Sequence, residues 1–111
     1  MMKIVLLLCG LSLTMYAISL GETLFNGNCV TCHKIDTPNS APTIGEIQMR
    51  YKKALLTKEA FVTFMAKWVE KPDAKTALMP EAISQYGLMP ELGFDHETLR
   101  EIGLFLYEKK F

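Results

Sequence analysis

The sequence predicts a small all-α domain, and three observations carry that prediction. Apolar residues recur at helical spacings of three and four in several stretches, of which Phe61, Phe64, Met65 and Trp68 form the clearest stripe. Turn formers separate these stretches: Pro38, Asn39, Ser40 and Pro42 in one cluster, then Pro72, then Gly87. No βαβ pattern is found, and 111 residues allow at most one domain.

Residues 1–19 read as a targeting segment. Lys3 is a short positive n-region, Ile4 to Leu13 is an apolar h-region, and Ala17-Ile18-Ser19 places small residues where a signal peptidase needs them. The expected new N-terminus is near Leu20, leaving about 90 residues. The rival is an uncleaved anchor, because Ile4 to Leu20 carries no charge, although its 17 residues reach only the lower edge of a bilayer span. Both readings put the folded part, residues 20–111, outside the cytoplasmic membrane.

A first helix is expected from Leu20, with Gly21, Leu24 and Phe25 on one side. It delivers Cys29-Val30-Thr31-Cys32-His33, the C-x-x-C-H signature of covalent haem attachment. On a helical turn two thiols three positions apart project near enough together to form thioethers with the two haem vinyl groups, and the adjoining imidazole is held against the iron. A thioredoxin-like dithiol wants a βαβ context, and a four-ligand zinc site needs further Cys or His. Only Cys9, in the export segment, and His96 remain.

Lys34 to Thr43 reads as a loop, and Ile44 to Tyr51 as a short helix with Ile44, Ile47 and Tyr51 on one face and Glu46 and Arg50 spaced for a solvent-side pair. Thr57 can cap the next helix, which Pro72 stops. Leu78-Met79-Pro80-Glu81 is repeated as Leu88-Met89-Pro90-Glu91, and between them Glu81 to Tyr86 can make a short helix, with Pro80 at its start and Gly87 past its end. Asp95 is a good N-cap for a last helix with Leu99, Ile102, Gly103 and Leu106 on one stripe. Met49 and Met65 fall within helical patterns and are expected in the core.

From about Gly21 onward the chain resembles the class I monohaem c-type cytochromes. That family runs from a helix with C-x-x-C-H through a proline loop, middle helices and a methionine loop to a final helix that crosses the first. The resemblance implies a cytochrome c-like domain packed around one covalent haem c, bound through Cys29 and Cys32, with His33 as proximal ligand. It implies that Pro42 offers its carbonyl to the second imidazole nitrogen, although Ala41 stands where the family often has glycine. It further implies that Gly21 and Phe25 meet the last helix, that Trp68 can reach a haem propionate, and that the distal methionine lies just ahead of the last helix. Met79 and Met89 both precede proline, which favours extended backbone; the family pattern selects Met89, with Met79 the alternative and His96 behind both. A mid-helix glycine costs up to about 1 kcal/mol relative to alanine, so Gly103 suggests a close helix approach, expected with Gly21.

The resemblance implies an electron carrier with His/Met ligation and no catalysis of its own, located in the periplasm or anchored facing it. Its partners would be redox complexes such as a quinol:cytochrome c reductase, an oxidase or a periplasmic dehydrogenase. Two alternatives are an electron-transfer subunit of a larger oxidoreductase and a haem-based ligand sensor. The formal net charge is zero, becoming about one negative charge without Lys3, and no nucleic-acid footprint is visible. Arg50, Lys52, Lys53 and Lys58 cluster in mid-chain and Glu91, Asp95, Glu97 and Glu101 near the last helix, an asymmetry that can orient a partner.

Overall fold

The computed structural model describes residues 19–111. The targeting segment expected over residues 1–19 therefore lies outside the described residues except for Ser19. Five helices follow in order: α1 (Leu20–Asn28), α2 (Ile44–Ala54), α3 (Lys58–Glu70), α4 (Pro80–Tyr86) and α5 (His96–Glu108). None is long and apolar enough to cross a membrane.

Short polar residues start four of these helices by satisfying amides that have no intrahelical partner. The side chain of Ser19 accepts from Glu22 N (3.1 Å), Thr43 from Glu46 N (3.3 Å), Thr57 from Ala60 N (3.1 Å) and Asp95 from Thr98 N (2.8 Å). Each first turn also carries a glutamate, Glu22, Glu46, Glu59 and Glu97, which complements the positive end of the helix dipole. α4 starts differently, on Pro80, whose missing N–H removes nothing at that position.

α5 is the spine of the domain, packed against α3, α1 and α2. It buries Leu99, Ile102, Gly103 and Leu106, while α3 buries Phe61, Val62, Met65 and Ala66 against it. Burying the larger of these side chains, Leu99, Ile102, Leu106, Phe61, Val62 and Met65, is worth roughly 1.5–3 kcal/mol each. Phe61 meets Tyr107 edge-on at 5.2 Å, and Phe25 meets Phe105 at 5.6 Å and the C-terminal Phe111 at 6.2 Å. Gln48 of α2 finishes the last helix, its amide donating to the carbonyls of Leu106 (2.8 Å) and Lys109. Arg100 ties α5 to α3 by donating to Thr63 Oγ1 and to the Glu59 carboxylate, both at 3.2 Å.

The first and last helices are in contact, and Gly21 is what permits it. A Cβ there would overlap the Glu101 carbonyl, lying 2.8 Å from its carbon and 2.9 Å from Phe105 Cβ. Gly103 does not share this crossing, contrary to expectation. It faces Val62 of α3, where a Cβ would sit at an ordinary 3.5 Å. Two further expectations are corrected: Met49 lies on the solvent side of α2, 61% exposed, and Arg50 pairs with Glu81 rather than with Glu46.

The two glycines should therefore respond in opposite directions to alanine. Gly21→Ala is expected to cost roughly 1–3 kcal/mol because backbone must move, and Gly103→Ala to be neutral or to gain up to about 1 kcal/mol. Urea denaturation of both variants checks this, and equal losses would contradict the assigned crossing.

Candidate functional site

α1 ends at Asn28, and the next five residues form one further helix-like turn. The His33 amide donates to the Cys29 carbonyl (2.9 Å), as does that of Cys32 (3.3 Å). This turn brings both thiols and the imidazole to the wall of a single cavity. Neither cysteine is in a disulfide; Cys29 is half-buried and Cys32 exposed. Burial, with the neighbouring Cys32 adding to it, pushes the Cys29 thiol up to about 11, so it stays protonated at neutral pH.

The loop after His33 turns back to the same place. Its ends are joined by the Ile44 amide donating to the Lys34 carbonyl (3.1 Å). Within it, His33 Nδ1 lies 2.9 Å from the Pro42 carbonyl oxygen. A carbonyl only accepts, so Nδ1 is the donor in this bond, and in the neutral ring the lone pair then lies on Nε2. Ala41 is buried beside it and also lines the cavity.

The remaining walls come from every helix. Phe25 of α1, Ile44, Ile47 and Tyr51 of α2, Met65 and Trp68 of α3, and Leu99, Ile102 and Leu106 of α5 surround an apolar interior. Tyr51 is packed edge-on against Phe61 and Phe64, both at 5.8 Å, and burial pushes its hydroxyl up to about 12. Trp68 lines the cavity with its ring, but its indole N–H donates to the Asp73 carbonyl (3.0 Å). The donor that the resemblance offers to a propionate is thus engaged within the chain.

The last wall is α4 with its flanks, and it holds both methionines of the repeated tetrapeptide. Met79 is buried in the core at the start of α4, 7% exposed. Met89 is half-buried in the loop between α4 and α5, and the two positive-φ glycines among the described residues, Gly87 (φ 87°) and Gly93 (φ 76°), bracket it. His96 does not line the cavity; it is exposed, with Nδ1 3.4 Å from Glu70 Oε2. Sequence reasoning overlooked the Arg50 bond to Glu81 and the part played by α4 side chains such as Ile83 and Tyr86.

The donor set suits haem c: two free thiols, an imidazole whose Nδ1 is engaged by a carbonyl, thioethers and apolar walls share one cavity. It does not suit zinc, since among the described residues no three His, Cys, Asp or Glu are grouped to hold a metal ion.

The sequence model of a family described as cytochrome c matches residues 18–99. The chain is similar in structure to a cytochrome c from Rhodothermus marinus, with a TM-score of 0.56 and 21% identity over 78% of this chain and 71% of that one. At that identity the likeness shows the fold. No curated protein matches the chain significantly.

The Tyr51 hydroxyl gives the cavity wall a signature in alkali. Above its ordinary value near 10 the unfolded chain loses this proton while the folded chain keeps it to about 12, so stability contributed by the neutral hydroxyl is lost as pH rises between them. Between pH 9 and 11 the parent should lose about 1 kcal/mol more stability than Tyr51→Phe. Parallel denaturation profiles over that range would place the hydroxyl in solvent.

Proposed function

The chain belongs to the cytochrome c family, and from that premise we propose that it is a single-haem carrier passing one electron at a time between periplasmic or membrane redox partners. Members of the family are generally electron carriers rather than enzymes. The observation that carries this reading is the shared cavity, where Cys29, Cys32, His33 and a thioether from the α4–α5 region meet apolar walls. Haem c supplies the redox-active iron; the chain supplies attachment, axial donors and exclusion of water.

In this reading Cys29 and Cys32 bind the haem and His33 gives Nε2 to the iron. Pro42 holds the ring in orientation and raises its donor strength through Nδ1. Met89 is the distal donor. Met79 is packed into the core at a helix start, whereas Met89 sits in a loop whose path is set by two left-handed glycines just ahead of α5. A thioether in that position favours the ferrous state and raises the potential. The partners are redox complexes such as a quinol:cytochrome c reductase, an oxidase or a periplasmic dehydrogenase, and a chain fixed to a larger oxidoreductase would serve the same chemistry as its outlet.

The ligand assignment is tested by Met89→Ala and Met79→Ala in the ferric protein. The weak near-red charge-transfer band that reports sulfur ligation should vanish in the Met89 variant and persist in the Met79 variant; the reverse would transfer the role to Met79. Export is tested by the mass of the mature chain, expected to begin near Leu20 with one haem added. An intact Met1 would support the anchor instead. The same measurement decides whether Ser19, the α1 cap, is retained.

A further inference from the structure

We propose that Arg50 is a positioning residue for the distal side of the haem cavity, clasping the chain on both sides of Met79. The inference rests on the reading of the cavity as a haem site. Arg50 projects from α2, and its guanidinium donates to the Glu81 carboxylate through one nitrogen and to the Leu78 carbonyl through the other (3.4 Å). Met79 lies between those two anchors, buried, with Pro80 completing the entry to α4.

Besides Met79 in the core and the side chains of Leu78, Ala82 and Phe94 packed against it, the wall that Arg50 holds is lightly fastened. α4 is seven residues long and buries none of them fully. The principal helix packing joins α5 to α1, α2 and α3, and α4 takes no part in it. Among the described residues, the hydrogen bonds of residues 77–94 are internal to that segment apart from the two made by Arg50. The segment nevertheless supplies Leu78, Met79, Ile83, Tyr86 and Met89 to the cavity. Fixing its start on α2 therefore fixes the base from which the Met89 loop departs.

A guanidinium suits this task better than an ammonium does. Its rigid fork presents several N–H groups in one plane, so that a carbonyl and a carboxylate can be held at once, whereas an ammonium is a single point charge on a flexible stem. The two side chains are partly exposed, 34% and 54%, and exposed pairs add little to global stability. What the clasp supplies is position: it keeps a lightly packed wall from opening locally.

The experiment uses the holoprotein and measures how fast imidazole displaces the sulfur donor from ferric haem, a rate limited by opening of the distal side. Arg50→Ala should speed this displacement by about tenfold, with Arg50→Lys intermediate and Glu81→Gln smaller because the Leu78 bond remains. Lys58→Ala removes the Lys58–Glu108 pair, which is similarly exposed and joins α3 to the end of α5; it should leave the rate within twofold of the parent. A rate within twofold of the parent in both Arg50 variants would overturn the proposal, as would equal acceleration by Lys58→Ala. If Arg50→Ala does not accumulate as holoprotein, Arg50→Lys and Glu81→Gln decide by the same criterion. A parent lacking the sulfur band refutes the ligand reading itself, whereas a parent with the band and unresponsive variants refutes the clasp alone.

Discussion

The hydrogen bond between His33 Nδ1 and the Pro42 carbonyl is the constraint on which the site depends. It closes the loop after the attachment turn, fixes which imidazole nitrogen is free, and sets the ring on the cavity wall. The bond forms because two proline-restricted stretches of chain leave little freedom between Lys34 and Ile44, whose own backbone bond closes the loop. The other neutral tautomer would leave the carbonyl without this donor and present a proton where a lone pair is needed.

Around that point the fold is economical. Its described residues form one core, with α5 touching α1, α2 and α3 and the cavity opening between them. A domain of this size buries a smaller fraction of its surface than a large one, so a bound porphyrin would add apolar area the chain itself does not provide. Folding and haem attachment are then thermodynamically linked. The division of labour among the helices follows: α1 carries the attachment turn, α3 and α5 supply packing, and α4 is a thin wall tethered from α2.

Much of this was legible in the sequence because it is local. Thr57 and Asp95 cap amides three residues further on, Gly21 and Phe25 lie one helical turn apart, and C-x-x-C-H is contiguous. What sequence reasoning missed is long-range. Glu46 is the helical neighbour of Arg50, but Arg50 reaches Glu81, 31 positions away, because α4 comes to rest beside α2. Gly103 lies on the buried stripe as expected, yet which helix faces it depends on packing, and Val62 does. Met49 obeys helical periodicity but falls on the outer face of α2. Trp68 is the local exception: its indole N–H donates to Asp73, five residues on, just past its own helix, because the chain turns back there after Pro72.

The central claim is that the Cys29–His33 turn binds haem covalently inside this cavity, and intact mass spectrometry of the purified protein under denaturing conditions tests it most directly. The account predicts a chain heavier by one haem, with the added mass confined to the peptide that contains Cys29 and Cys32. A chain that releases its haem on denaturation, or that carries the added mass elsewhere, would contradict it.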